Sequence, residues 1–282
     1  MLPVPAGQAG ARHPTDGDRK DQAVAIRILA IGDVVGHPGR QFLRDRLADV
    51  VTRERIDLVV GNGENVAGGL GITKALATDL HNSGVDVITT GDHVWRRADV
   101  RRALEMDRFL LRPHNYPAGA PGAGVVTATT ASGVPVRVIN LQGRIFLDPI
   151  NCPFECVERI LAHTDGPAVT IVDFHAEATS EKAAMAWGLD GRVSAVVGTH
   201  THVQTADERI LDQGTAFISD LGMTGPVRSI LGRNVERCIE KFRTRLYVPL
   251  DVATGPVQMC GVIVTVDTDT GRALEIERIA ER

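Results

Sequence analysis

The sequence alternates short β-branched runs with amphipathic segments from residue 26 onward, and this alternation constrains the fold more than any other feature. The first three runs occupy residues 26–31, 57–60 and 85–90. Between them, Pro38 suits the first turn of one helix and Thr73 suits the N-cap of another. The N-terminal part of the domain is therefore predicted to begin β-α-β-α-β.

Later runs favour antiparallel pairing as well. Residues 125–126 and 134–138, joined by a Ser-Gly turn, predict a hairpin. Further predicted elements are a helix at 153–163, a strand at 168–174, a helix at 180–187, a strand at 194–197, hairpin-like runs at 208–219, a helix at 232–243, and hairpin-like runs at 246–252, 258–267 and 272–279. Two packed sheets with helices outside accommodate this order, whereas a purely doubly wound sheet does not.

Composition limits the classes of protein that remain. Residues 1–25 are rich in Gly, Pro and charge, so we expect a disordered N-terminal extension before one domain at 26–282. A net charge of −4 argues against binding of duplex DNA. No apolar run is long enough to span a membrane. Four irregularly spaced cysteines favour reduced thiols and a cytoplasmic location.

Unusual polar residues follow five of the predicted strands. In chain order they are Asp33, then Glu64 and Asn65, then Asp92 and His93, then His175, and finally His200 and His202. The carboxyl ends of parallel strands meet at one edge of a sheet, where ligands bind. We therefore expect these side chains to converge on one place.

The residue types at these positions suit one task. Carboxylate, amide and imidazole groups together are ligands of divalent Mn, Fe or Zn. Glu64 has two oxygens that can bridge two ions, and His200 and His202 would point to the same side of an extended chain and reach neighbouring ions. Such ion pairs, about 3.5–4 Å apart, clamp the attacking and leaving oxygens of a displacement at phosphorus, which predicts phosphoester hydrolysis.

Each residue also has a simpler structural explanation. Asp33 alone is typical of a turn or a helix cap, Glu64 beside glycines can shape a turn, and His175 can be a hydrogen-bonded core histidine. All of these explanations would have to hold at successive strand ends, so the combination favours a metal site.

Six segments in this order resemble the YmdB-like family of calcineurin-type metallophosphoesterases, from about residue 27 to the C-terminus. The segments are GDVVG at 32–36, GEN at 63–65 followed by AGG at 67–69, GDHVW at 91–95, RPHNYP at 112–117, DFHAE at 173–177 and GTHTHVQT at 198–205.

The resemblance implies a four-layered α/β/β/α sandwich of two mixed sheets that holds two divalent ions, Fe or Mn first and Zn or Mg as alternatives. It implies a metal-dependent phosphodiesterase that hydrolyses 2′,3′-cyclic nucleotides, and 3′,5′-cyclic ones as an extension, by in-line attack of a hydroxide that bridges the metals. The implied roles are Asp33, Glu64 and His202 on one metal, Glu64, Asp92, His175 and His200 on the other, Asn65 on the substrate phosphate, and His93 as the general acid for the leaving ribose oxygen.

One position departs from the family pattern. The family's Gly-Asn-His motif reads Gly91-Asp92-His93 here, so a carboxylate replaces a neutral amide. The added negative charge predicts tighter metal binding, a less acidic attacking water and weaker attraction for an anionic substrate.

Several functional alternatives stay open at this point. A phosphomonoesterase or 5′-nucleotidase would use the same metals, and a regulatory nucleotide-binding module with weak activity would retain the site. Homo-oligomers and RNA-processing partners are compatible with the sequence. Trp95 and Tyr116 either stack a nucleobase or pack in the core.

Overall fold

The structure, a computed structural model, describes residues 25–162 and 166–282. The predicted extension up to residue 24, and the last residue of the helix predicted at 153–163, lie outside the described residues.

The strands are β1 (Ala25–Ile31), β2 (Asp33–Val34), β3 (Leu58–Asn62), β4 (Val87–Thr89), β5 (Val125–Thr129), β6 (Pro135–Gln142), β7 (Val169–His175), β8 (Ala195–Thr199), β9 (Arg209–Ile210), β10 (Ala216–Ile218), β11 (Met223–Pro226), β12 (Val257–Asp267) and β13 (Ala273–Glu281). The helices are α1 (Gly36–Glu54), α2 (Lys74–Asn82), α3 (Val100–Met106), α4 (Pro153–Leu161), α5 (Thr179–Gly188) and α6 (Val235–Thr244), with a 3₁₀ turn at Val94–Arg96. None of the helices in 25–162 and 166–282 is both long and apolar enough to cross a bilayer.

Two mixed sheets form the centre of the fold. One has seven strands in the order β2-β11-β12-β1-β3-β4, with β13 also paired to β12, and the other has six in the order β5-β6-β7-β8-β10-β9. Strands β1, β3 and β4 run parallel in the first sheet, and β6, β7, β8 and β10 run parallel in the second. The antiparallel partners lie towards the C-terminal hairpin and at the β5-β6 and β9-β10 pairs.

Alternating side chains on the strands divide the core into three layers. Ile28 of β1 and Ile171 of β7 belong to a buried cluster shared by strands of both sheets. Leu29 of β1 packs with residues of α1, α2 and α3, and Val172 of β7 packs with residues of α4 and α5. Because successive strand residues face opposite sides, these clusters give the predicted α/β/β/α sandwich.

The chain departs from the predicted elements mainly at 246–252. This apolar run was predicted as a strand, but only Val252 makes a β-bridge and Tyr247 is 91% exposed. Pro249 lies in the middle of the run and has no N–H for a ladder, which explains why the pattern was misleading. The predicted hairpin at 125–138 and the Thr73 cap are confirmed, the cap accepting from the Leu76 N–H at 3.3 Å.

Candidate metal centre

The structure brings all the sequence-predicted polar residues to one place at the carboxyl ends of five strands. Asp33 follows β1, Glu64 and Asn65 follow β3, and Asp92 and His93 follow β4, while His175 ends β7 and His200 and His202 follow β8. Both sheets therefore contribute side chains to one cluster.

Four of these residues form a compact ligand set. Donor atoms of Glu64, Asp92, His175 and His200 all lie within 4.8 Å of one another. The His175 Nε2 atom lies 3.3 Å from Glu64 Oε1 and 3.1 Å from Asp92 Oδ1. The His200 Nδ1 atom lies 3.0 Å from that same His175 nitrogen. Two oxygens and two imidazole nitrogens at this spacing are chemically suited to a divalent first-row ion.

Asp33 and His202 form a second set beside the first. The Asp33 carboxylate is fully buried, and its Oδ1 atom lies 3.6 Å from His202 Nε2. The side-chain amide of Asn65 joins the two sets, because its Nδ2 lies 3.3 Å from both Asp33 Oδ1 and Glu64 Oε1. The carboxylates of both sets thus meet at one amide.

His93 lies at the mouth of the cluster. Its side chain is 23% exposed, and its Nδ1 lies 3.0 Å from Asn65 Oδ1 while its Nε2 lies 3.5 Å from Asp92 Oδ2. Its backbone N–H donates to Glu64 Oε2 at 3.1 Å. Asn65 and Glu64 together therefore fix where this imidazole lies.

Charges within the cluster are strongly complementary. Burial alone would raise the pKa of the Asp33 carboxyl, but the imidazoles of His202 and His175 and the His200 N–H together outweigh it, and the pKa lies below its usual range. Burial also opposes ionisation of Glu64, yet His175 and His93 lower its pKa to about 2. Burial disfavours charge on His175, but the carboxylates of Glu64 and Asp92 raise its pKa well above the ordinary value. Ionised carboxylates that favour a nearby positive charge are what a cation site requires.

Outer contacts orient each histidine of the cluster. The Nδ1 atom of His175 lies 3.0 Å from Thr199 Oγ1, which donates to Asp173 Oδ1 at 2.7 Å. The Nε2 atom of His200 lies 3.1 Å from Glu177 Oε2. Such partners fix the tautomer of a metal-binding imidazole and raise its basicity. Asp173 and Glu177 belong to the DFHAE motif at 173–177, but the sequence alone assigns them no role because their contacts exist only in the folded chain.

The segment that carries His200 and His202 is not extended, contrary to the sequence argument. Their φ angles are 103° and 65°, in the left-handed region that non-glycine residues rarely adopt. Asp33 Oδ2 accepts from the His200 N–H at 3.0 Å. Asp220 Oδ2 accepts from the Thr201 N–H at 3.0 Å and from Lys182 Nζ at 2.8 Å. A strained turn held by two buried carboxylates, rather than strand alternation, places both imidazoles in the cluster.

Gly91 permits the close approach of β4 to β7. A Cβ atom at this position would overlap the imidazole of His175. The glycine that precedes Asp92 is therefore required for Asp92 and His175 to lie in contact.

A cavity of about 320 Å³ opens beside the cluster. One side is polar and includes Glu64, Asn65, His93, His200 and His202. The lining also includes four apolar residues, Ile230, Leu231, Phe242 and Leu250.

Trp95 and Tyr116, the two aromatic residues left undecided by the sequence, pack together. Their rings meet edge to face with centroids 5.5 Å apart, and both pack partly buried against the core beneath the helices of the first sheet. Core packing is therefore the arrangement seen, and Tyr116 also lines a separate cavity of about 440 Å³ with Arg112 and His114.

Two facing mixed sheets, helices on both outer surfaces and a carboxylate-histidine cluster at the strand ends define a metallophosphoesterase of the calcineurin-like type. The sequence profile of the YmdB-like proteins matches residues 29–279. The chain belongs to this YmdB-like family.

Individual relatives support the assignment. A 2′,3′-cyclic-nucleotide 2′-phosphodiesterase of Bacillus subtilis is 47% identical over 255 residues, which cover 90% of this chain and 96% of the relative. The crystal structure of a hypothetical protein from Thermus thermophilus is 39% identical with a TM-score of 0.85, covering 90% of this chain and 98% of that one. The crystal structure of a novel phosphatase from Mycoplasma pneumoniae is 33% identical with a TM-score of 0.86, covering 92% of this chain and 94% of that one.

Proposed function

We propose that this protein is a metal-dependent phosphodiesterase that opens the ring of 2′,3′-cyclic nucleotides, with 3′,5′-cyclic nucleotides as a further substrate class. The observation that carries the proposal is the meeting of two carboxylate-histidine sets at Asn65. The name of the relative that is 47% identical supports the substrate class.

The residues divide into two ligand sets. Glu64, Asp92, His175 and His200 would hold one divalent ion, Mn or Fe, and Asp33 and His202 would hold the second together with Glu64. When bound, the two ions neutralise phosphate charge and lower the pKa of the water that attacks phosphorus.

Asn65 and His93 act on the substrate. The Asn65 Nδ2 donor lies at the junction of the two sets, where a phosphate oxygen would accept its hydrogen bond. As a new P–O bond to water forms, the bond between phosphorus and O2′ breaks, and His93 gives the proton from Nε2 to that oxygen. The proton that the attacking water loses passes to solvent, and His93 takes up a proton from solvent before the next turnover. The Asn65 Oδ1 atom accepts from His93 Nδ1, which holds the ring for this transfer. The product is a nucleoside 3′-phosphate.

Incubation with 2′,3′-cyclic AMP and chromatography of the products tests the proposal. We expect 3′-AMP to form in the presence of Mn²⁺. His93→Ala should lower kcat by about 10²–10⁴-fold, the usual contribution of a general acid, while metal content stays unchanged. Absence of 3′-AMP, or a full rate without His93, would overturn it.

A phosphomonoesterase is the second candidate, because the structural relative from Mycoplasma pneumoniae is described as a novel phosphatase. Comparison of bis-p-nitrophenyl phosphate with p-nitrophenyl phosphate separates the two activities. The diesterase proposal expects the higher kcat/KM with the diester, and a strong preference for the monoester would establish the second candidate instead.

A further inference from the structure

The apolar side of the 320 Å³ cavity has no part in the chemistry proposed above. It is formed by Ile230, Leu231, Phe242 and Leu250, which we call the base wall. We propose that the base wall is a nucleobase subsite in which the ring of Phe242 stacks on the base of the substrate. This inference rests on the proposed function and adds to it the part of the substrate that the metal centre does not contact.

The base wall and the candidate metal ligands line one cavity and are in direct contact. The Nδ1 atom of His202 lies 3.1 Å from the carbonyl oxygen of Leu231, so a candidate metal ligand contacts the base wall directly. A substrate whose phosphate lies among Glu64, Asn65 and His200 therefore has the base wall within the same cavity, available to the rest of its structure.

The segment that carries the base wall is preformed. The backbones of Ile230 and Arg233 donate to each other at 2.9 and 3.0 Å, and Asn234 caps α6 by accepting from the Arg237 N–H at 3.0 Å. The Arg233 guanidinium donates to the carbonyl oxygens of Leu250 at 2.9 Å and of Gly68 at 3.1 Å. The start of α6 is thereby tied to the glycine-rich loop on the metal side of the cavity.

The chemistry of the base wall fits a planar aromatic ligand. Phe242 is 68% exposed and Leu231 is 46% exposed, so neither serves mainly to fill the core. Backbone groups of Ile230 and Arg233 are already paired and offer no free edge to a base. Stacking does not depend on base identity, because every base has a π-face. We therefore expect the base wall to accept purines and pyrimidines alike.

The size of the cavity sets the length of the ligand. About 320 Å³ lies at the lower end of the range of roughly 300–1,000 Å³ for small-molecule pockets. One nucleotide with its phosphate at the metal centre suits this space, and a long oligonucleotide does not.

Steady-state kinetics of Phe242→Ala on two substrates tests the inference. With 2′,3′-cyclic AMP and 2′,3′-cyclic CMP we expect KM to rise about tenfold, in line with the loss of one base stack. With glycerol 1,2-cyclic phosphate, which has no base, we expect KM to stay unchanged. Tyr247→Ala removes an aromatic ring that is 91% exposed and lies outside the cavity, so it serves as the matched control and should leave both substrates unaffected. An equal KM for wild type and Phe242→Ala on the nucleotides, or an equal rise on both substrate types, would overturn the subsite.

A binding measurement separates this inference from the proposed function. Calorimetry with 3′-AMP and with inorganic phosphate on Mn²⁺-loaded protein should show that Phe242→Ala weakens only 3′-AMP. That result in a protein without hydrolytic activity would support the base wall and refute the diesterase. Unchanged 3′-AMP affinity of Phe242→Ala in an active enzyme would refute the base wall and support the diesterase. If Phe242→Ala instead changes the oligomeric state and leaves both affinities unchanged, the surface is an interface between copies and the subsite is refuted.

Discussion

Asp92 is the residue at which the sequence predicts a departure from the Gly-Asn-His motif of the family. One carboxylate oxygen lies 3.1 Å from His175 Nε2 and 3.4 Å from His200 Nδ1, and the other lies 3.5 Å from His93 Nε2. A charged group thus stands between the candidate ligands and the candidate general acid. Its negative charge should strengthen cation binding and make the attacking water less acidic.

Asp92→Asn should therefore separate metal affinity from turnover. We expect the Kd for Mn²⁺ to rise about tenfold and kcat at saturating Mn²⁺ to rise a few-fold, because less negative charge leaves the attacking water more acidic. Titration calorimetry and initial rates with 2′,3′-cyclic AMP measure the two effects. Asp212→Asn, which removes an exposed carboxylate from a remote turn, is the matched control. A kcat that is unchanged or lower would count against this account.

Glu177→Gln tests the outer contact of His200. The carboxylate lies 3.1 Å from His200 Nε2 on the side away from His175, so its charge should make the ring a better ligand. We expect the Kd for Mn²⁺ to rise about 10–100-fold, as is typical for loss of such a partner. Glu155→Gln, on the exposed face of α4, should leave the affinity unchanged. Equal Mn²⁺ affinity in Glu177→Gln and wild type would show that the carboxylate does not act through His200.

At the residue scale the sequence was a good guide to the inner cluster and a poor guide to its supports. Asp, Glu, Asn and His after successive strands are conspicuous because loops seldom carry them in such order. The Thr199 hydroxyl, the buried Asp173 and the wall residue Phe242 carry no such signal, since each belongs to a strand or helix that would contain such residues anyway. Their positions follow from tertiary packing.

The element that places His200 and His202 depends on a buried ion pair. Lys182 of α5 and Asp220 after β10 are each only 2% exposed, and Asp220 also accepts from the Gly222 N–H at 2.9 Å. Loss of one partner leaves the other charge buried and uncompensated. The turn at Thr201 would lose its support at the same time.

Lys182→Ala should lower the free energy of unfolding by about 3–5 kcal/mol, the usual cost of breaking a buried pair. Arg192→Ala breaks the solvent-exposed pair with Glu158 and should cost no more than about 1 kcal/mol. Urea denaturation of both variants followed by circular dichroism measures the difference. Equal destabilisation by the two substitutions would show that burial of the Lys182 pair is not important.

At the scale of elements, the hydrophobic periodicity of the sequence predicted most helices and strands correctly. It was misleading where an apolar run had no partner strand. Residues 246–252 look like a strand in sequence, yet Leu250 lines the cavity and its carbonyl oxygen accepts from the Arg233 guanidinium, while Leu246 and Tyr247 are exposed. Strands β2 and β11 are too short to produce a pattern, and pairing with neighbours alone defines them.

The whole molecule explains why distant segments meet. Parallel strands in each of two facing sheets direct their carboxyl ends to one edge of the sandwich, so site residues between 33 and 202 converge there. The alternation in the sequence predicted the two-sheet architecture, because strand-helix repeats indicate parallel pairing and hairpins indicate antiparallel pairing. The same alternation does not indicate the tight turns that bring Asp33 Oδ1 within 3.6 Å of His202 Nε2.

The central claim is that this convergence holds two divalent ions. The most direct measurement is elemental analysis together with electron paramagnetic resonance of protein saturated with Mn²⁺ and passed over a desalting column. We predict two Mn per chain with the signal of a coupled pair, and about one Mn with an uncoupled signal in His202→Ala. About one Mn or less per chain in the wild type, or two in both proteins, would contradict the account.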